Sequence, residues 1–371
     1  MNKQELKQLL QDDFSKAINS LLRSGQTRID IPKGKYIIND IIYLVDNTNL
    51  NFSKNAYVIC KKGFKDWAVF TNKDKENGNK NISIIGGNFD GNALENPRNG
   101  IYDDFTAIFF AFNKVDGLVI KNMMVKDTVS YHFRLGEVSN FIIKNIKFMD
   151  EYSPINQDGI HMGGGCKNGI IKNIYAKPGS MGDDLIALNA DDIFTIPVNY
   201  GMKDLPISNI HVSNVFAPNC WTGIRLLSYK EEISNCSFKN FVIGYRTLVI
   251  NMDGDRPDVI FKTSEYPNGV GNLRDITFKN FKFWNTCIRD KKRPCIRFQN
   301  NVFNMKMINF NHYVKNEPKG NVCSTISFSY ISNMNIKIDG EDHSVLNYND
   351  TYEYYGNKFK LLTANQEKND D

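Results

Sequence analysis

One short phrase keeps returning along this chain, and it restricts the fold more than any other feature. β-Branched or aromatic residues alternate with polar ones around Lys-Asn or Ser-Asn: Val119-Ile120-Lys121-Asn122, Ile142-Ile143-Lys144-Asn145 and Ile170-Ile171-Lys172-Asn173. Weaker copies follow at Val212-Ser213-Asn214, Ser237-Phe238-Lys239-Asn240 and Thr277-Phe278-Lys279-Asn280, with Asn309 as the last member. The asparagines are 23, 28, 41, 26, 40 and 29 residues apart. The short steps are one turn of a repeat, and the two long ones read as a turn plus an inserted loop, near residues 190 to 206 and 252 to 272.

Alternation with period two, turn residues and no helix within the repeat point to a parallel β-solenoid rather than to leucine-rich or helical repeats. Each coil stacks on the one before it, so inward Ile, Val, Phe and Leu build one apolar column. Asparagines at equivalent corners are expected to stack as a ladder that satisfies turn backbone groups.

Such a stack has open ends that must be covered. Leu6, Leu9, Leu10, Phe14, Ala17, Ile18, Leu21 and Leu22 follow the spacing of an amphipathic helix, which Ser24-Gly25 ends. The expected organisation is therefore a capping helix over 1–26, the β-helix over 27–340, and a cap or tail over 341–371 that covers the other end or docks on a neighbouring subunit.

Charge names no partner. The 46 basic and 41 acidic residues are scattered without the basic stripe of a nucleic-acid binder, and no run of about 18 apolar residues marks a membrane span. The N-terminus is polar, with no recognisable secretion signal. Seven cysteines at irregular spacings, without a Cys-x-x-Cys pair, read as free and mostly buried thiols of a reducing compartment. A cytoplasmic or virion-associated location is expected.

The chemistry is concentrated in two motifs. Asn156-Gln157-Asp158-Gly159-Ile160-His161 and Gly182-Asp183-Asp184-Leu185-Ile186 lie one coil apart, with their acids just before a strand. Coils stack at roughly 5 Å, so Asp158, Asp183 and Asp184 should converge on one patch of the outer wall. Alternation places Arg225 on the same outer face, together with His132 and Arg134 from the preceding coil. His132, Arg134, Asn156, His161 and Arg225 are the expected substrate-binding residues. Asp191-Asp192 and Asp253-Asp255 read as loop acids. Clustered carboxylates beside a cation suit hydrolysis of a glycosidic bond, in which one acid stays protonated for the leaving oxygen while another activates water. An inverting attack sets the two carboxyl groups about 6.5 to 9.5 Å apart.

At these residues the chain resembles the polygalacturonase-like glycoside hydrolases (family 28) of the pectin-lyase-like right-handed parallel β-helix superfamily. The resemblance covers most of residues 10 to 250, including Ile31-Pro32-Lys33-Gly34-Lys35-Tyr36, Gly87-Asn88-Phe89-Asp90-Gly91-Asn92 and both acidic motifs. It implies an all-β, single-stranded right-handed parallel β-helix, with Asp183 as general acid and Asp158 and Asp184 holding the water of an inverting attack. The family's Gly-His-Gly has no counterpart here, the nearest by position being Trp221-Thr222-Gly223. In its Arg-Ile-Lys strand Arg225 supplies the arginine and Leu227 replaces the lysine, with Arg246 a rival alignment one coil later.

The expected function is that of an inverting, polysaccharide-degrading hydrolase acting on a surface or cell-wall glycan in an open groove, with no cofactor or metal. A phage tail depolymerase, trimeric if so, and an intracellular oligosaccharide hydrolase both suit the sequence. Two other readings stay open: a non-catalytic β-helix that binds glycan or teichoic acid, and a uronate lyase.

Overall fold

The computed structural model describes residues 2–192, 196–254, 270–287, 294–313, 326–328, 334–342, 351–355 and 358–362. Among the described residues its strands form a 17-stranded and a 12-stranded sheet, parallel except at the C-terminal end, that wind into a β-helix. The expected fold is therefore the observed one. The strand series Val115–Lys126, Ser139–Phe148, Lys167–Ala176, Ile207–Cys220, Ser237–Tyr245, Thr277–Asn285 and Val302–His312 builds one wall. The series Ala68–Asn72, Ile108–Asn113, Phe133–Gly136, Ile160–Gly163, Asp184–Asn189, Thr222–Leu227, Ile250–Asp253 and Ile296–Phe298 builds the second.

The recurring asparagines explain how the first wall bends. Asn122, Asn145, Asn173, Asn214, Asn240, Asn280 and Asn309 all have φ between 56° and 62°, the left-handed region that asparagine tolerates better than other side-chain-bearing residues. Each amide donates from Nδ2 to Oδ1 of the asparagine one coil earlier, at 2.7 to 3.0 Å from Asn145 to Asn309. Local backbone sterics thus select the residue, and stacking then makes each copy support the next. A second ladder that the sequence reading missed runs through Asn140, Asn168, Asn209 and Asn235.

Inside the coil runs one continuous apolar cluster. Phe70, Phe110 and Phe133 stack on successive coils with centroids 5.1 and 4.9 Å apart, and Phe241, Phe281 and Phe310 repeat the device at 4.7 Å. The long steps of the repeat coincide with excursions from the second wall, one after Asp184–Asn189 and one after Ile250–Asp253. Most of the second, residues 255–269, lies outside the described residues.

The N-terminal segment forms two helices, α1 (Lys3–Asp12) and α2 (Phe14–Arg23), where the periodicity alone suggested one. Asp13 separates them because its side chain caps α2 by accepting from the Lys16 amide, which requires an extended backbone at Asp13 itself. Phe14, Ala17, Ile18 and Leu22 of α2 are buried against the first coil, and Ser15 and Asn19 bond the backbone at Asn39, Asp40, Ile41 and Tyr43. At the far end, Ile326–Phe328 pairs antiparallel with Thr351–Tyr355, which pairs antiparallel with Lys358–Leu362. Parallel stacking stops there. Six cysteines are free and five of them buried, while Cys323 lies outside the described residues.

Candidate active site

The second wall carries the acidic motifs. Gly159 donates its amide to the Asp184 carbonyl at 2.9 Å, which locks the two motifs together across adjacent coils. Both glycines are required by close approach: a Cβ on Gly159 would meet the Leu185 carbonyl at 2.5 Å, and one on Gly182 would meet the Pro154 carbonyl at 1.8 Å. Gln157 is fully buried and bonds the Thr128 and Tyr152 carbonyls, so it fixes the approach to Asp158 rather than facing solvent.

One oxygen from each of Asp158, Asp183 and Asp184 lies within 4.8 Å of the others. This is tighter than the expected 6.5 to 9.5 Å, because neighbouring coils and adjacent residues supply all three groups. Oxygens this close can share a single water, each bonding it at about 2.7 to 2.8 Å. Asp183 is half-buried, Asp158 and Asp184 are buried, and the Asn156 side chain acts on Asp183 to lower its pKa.

The electrostatics follow from crowding like charges in a poorly hydrated site. Burial raises Asp158, with His161 opposing it, and burial and then Asp158 raise Asp183 against Arg225. Burial and then Asp183 push Asp184 up to about 7. At neutral pH the cluster therefore shares a proton instead of being fully ionised.

Arg225 is the cation at the cluster. Its Nη1 is 3.9 Å from Asp184, and its Nε and Nη2 each donate at 3.2 Å to the carboxylate of Asp253. Burial works against its charge, but Asp253 and Asp184 more than offset that. Arg246, the rival, bonds the Met181 and Cys220 carbonyls and lies over Trp221. Arg297 joins the network through Asn251 at 2.9 Å and Asp253 at 3.5 Å. Asp253 is thus a buried site residue, correcting its reading as a loop acid, while Asp255 lies outside the described residues. A cavity of about 360 Å³ opens beside Asp183, Asp184, Thr222, Arg225, Thr247, Asn251 and Arg297.

His161 is not an exposed groove residue. It is 1% exposed, stacked on Tyr131 at 4.4 Å, and held between Asp158 (Nδ1 to Oδ2, 2.7 Å) and Asp192 (Nε2 to Oδ2, 2.8 Å). Burial disfavours its charged form, yet Asp192 and Asp158 overcome this and raise its pKa to about 10. An imidazolium clamped between two carboxylates fixes the orientation of Asp158. Asp192, also read as a loop acid, is its fully buried outer partner.

His132 and Arg134 also depart from expectation. His132 is fully buried, with Nε2 3.0 Å from Asp150 and Nδ1 2.9 Å from the Asp158 carbonyl, so it braces the wall from behind. Arg134 faces outward in register with His161, but the inserted segment covers it, and its Nη1 donates to the Val198 and Tyr200 carbonyls at 2.6 and 3.1 Å. Alternation predicts direction, not what lies on top. Leu227, in place of the family lysine, packs with Ile196 and Val198 of the same segment in a small apolar cluster apart from the interior.

Asp192, Asn251, Asp253 and Arg297 were missed as site residues. One signal was available: Ile296-Arg297-Phe298 echoes Ile224-Arg225-Leu226, and Arg134, His161, Ala187, Arg225, Asn251 and Arg297 form one register row.

Comparison with known proteins places this parallel β-helix among distant relatives. The chain is a distant homologue of the family 28 exopolygalacturonases. It is 24% identical to the exopolygalacturonase of Oenothera organensis over 57% of this chain, and the match spans 63% of that relative's length. Among solved structures, a family 28 exopolygalacturonase of Yersinia enterocolitica matches 89% of this chain and 76% of its own at 14% identity, with a TM-score of 0.54. A tailspike protein of E. coli bacteriophage HK620 matches 88% of this chain and 63% of its own at 13% identity, with a TM-score of 0.55. These two likenesses concern the fold. No family model matches the chain. Among the described residues, no helix is long and apolar enough to cross a membrane.

Proposed function

We propose that the chain hydrolyses glycosidic bonds in a polysaccharide, with Asp183 as general acid and Asp158 and Asp184 holding the attacking water. The observation that carries this reading is the convergence of three carboxylates within 4.8 Å, all held above their ordinary pKa beside Arg225. A leaving alkoxide needs a proton at working pH, and a water nucleophile needs an ionised acceptor. A cluster that shares a proton supplies both. The Asp192–His161 pair keeps Asp158 turned toward the water site. Inversion belongs to the same proposal: it rests on one water shared by all three oxygens as the nucleophile, and not on the carboxylate spacing, which is shorter than the roughly 6.5 to 9.5 Å of an inverting pair.

The cavity beside the carboxylates is lined by residues from Asp183 onward, and residues 196–202 cover the preceding coils. This supports attack at a chain end, with the rest of the polymer lying along Arg225, Asn251 and Arg297. Work on a phage tail belongs to the same proposal: light scattering that reads a trimer supports it, and a monomer removes it.

The test is Asp183→Asn. It removes the transferable proton while keeping size and hydrogen bonding, so turnover should fall about 10²- to 10⁴-fold with glycan affinity retained. Unchanged turnover removes Asp183 from the acid role.

A further inference from the structure

The residue that left the expected groove opens a second site. Upstream of the carboxylates, on the same outer wall, a cavity of about 460 Å³ is lined by Trp67, Lys75, Asn113, Lys114, Arg134 and Tyr200 among others. Its floor is the strands Ala68–Asn72, Ile108–Asn113 and Phe133–Gly136, and the inserted Pro197–Lys203 stretch forms its far side.

Two cations meet there, and the carboxylate that acts on Arg134, Asp192, is already held by His161 at 2.8 Å. Arg134 is 4% exposed, spends Nη1 on two backbone carbonyls, and has a buried Nε with no hydrogen-bond partner. Lys75 is half-buried with its Nζ 3.1 Å above the centre of the Trp67 ring, and among the described residues it has no ion-pair partner. The cavity's two carboxylates, Glu76 and Asp104, are exposed, and neither is paired with Arg134 or Lys75. Lys114 is tied to the Glu76 carbonyl at 2.6 Å, and Lys203 lies 3.5 Å from Glu137. Burying a guanidinium and an ammonium side by side is costly unless something negative enters between them. The aromatic wall defines the rest of the ligand: Lys75 takes the face of Trp67, and the 59% exposed Tyr200 offers a ring face of the kind that packs on the apolar face of a sugar.

We infer that this cavity is a second saccharide-binding site, which takes a sugar bearing a carboxylate or sulfate, with the oxyanion at Lys75 and Arg134 beside Trp67 and the ring against Tyr200. It is separate from the cleavage pocket and does not depend on the hydrolase reading. Its use is to hold an anionic glycan at a point other than the bond being cut. Burial and the neighbouring Arg134 lower Lys75 to about 7, so its charge, and with it anion binding, strengthens as pH falls from 8 to 6. The other charged groups facing Lys75 are Arg134, Lys114, Lys203, Glu76 and Asp104.

The experiment is a fluorescence titration of the full chain, with Trp67→Phe as the blank so that only the Trp67 signal is read. The probes are a uronate disaccharide, the same disaccharide with its carboxyls reduced to alcohols, and inorganic sulfate. The uronate should give a saturable change that Lys75→Gln weakens about 10- to 100-fold, the loss expected for one charged hydrogen bond. The reduced sugar should bind about tenfold more weakly or worse, and affinity for the uronate should rise from pH 8 to pH 6 in wild type but not in Lys75→Gln. Equal binding of charged and reduced sugars, or no effect of Lys75→Gln, overturns the inference. Sulfate binding as tightly as the uronate overturns its saccharide part and leaves a free-anion pocket. Because the readout is Trp67, a chain that cleaves nothing can still show this site, and one that cleaves can still lack it.

Discussion

The two walls of this β-helix share one backbone stack and use it in opposite ways. On the first, burial alternates along each strand, as in Ser139–Phe148, with a solvent-facing side of Lys and Asn and a ladder at the corner. On the second, Phe133–Gly136, Ile160–Gly163 and Asp184–Asn189 are buried at every position, because charged networks and an inserted segment cover the outer side as well. The first wall repeats and is stable by repetition. The second breaks the repeat, and it spends stability on carboxylates that stay poorly hydrated. The candidate site of this chain lies where the periodic rule fails.

The comparison can be broken most forcefully at Asp192. Asp192→Asn should lower kcat on the order of 10²-fold, and the acid limb of the rate–pH profile should move to higher pH. The reason is that a less firmly charged His161 leaves Asp158 harder to ionise. A lower rate with an unmoved limb would make Asp192 structural only.

A smaller effect separates stability from chemistry on the same wall. Asp184 has a folded pKa raised to about 7 against an ordinary 3.8, so its ionisation destabilises the fold above the unfolded value, increasingly so up to the folded one. Asp184→Asn should therefore stabilise the chain more at pH 8 than at pH 5, by about 2 kcal/mol, while removing activity. Denaturant melts at the two pH values check this. Equal effects would mean that Asp184 is not held protonated by its surroundings.

The smallest effect belongs to the first wall. Asn240→Ala places a Cβ-bearing residue without a compensating amide at φ 62° and removes two ladder bonds, Asn240 to Asn214 and Asn280 to Asn240. It should cost about 1 to 2 kcal/mol and leave turnover unchanged. Asn240→Gly, which accepts the backbone angle, should cost less, and the difference isolates the strain from the lost bonds. A ladder variant that alters kcat would show that the walls are not independent.

The sequence exposed these regions unequally, for physical reasons. The ladder was legible because a left-handed corner selects asparagine locally, once per coil. The acidic motifs were legible because Asp-Gly and Gly-Asp-Asp need glycines where two coils touch. The buried setting of His161, and the places of Asp192, Asn251, Asp253 and Arg297, were not, since their pairings cross coils and depend on where the inserted segments lie. Arg134 shows the limit most clearly: alternation placed it on the outer face, and only the packing of Val198 and Tyr200 moved it from the cleavage pocket to the floor of another.

The most direct test of the central claim is to incubate the wild-type chain with a panel of anionic and neutral polysaccharides between pH 4 and 9 and measure new reducing ends. Cleavage of at least one glycan is expected, with a maximum between about pH 5 and 7, where the cluster holds one proton and lacks another. Tight binding with no new reducing ends at any pH would contradict it and make the second wall a binding surface, while an ultraviolet-absorbing unsaturated product would replace hydrolysis by lyase chemistry.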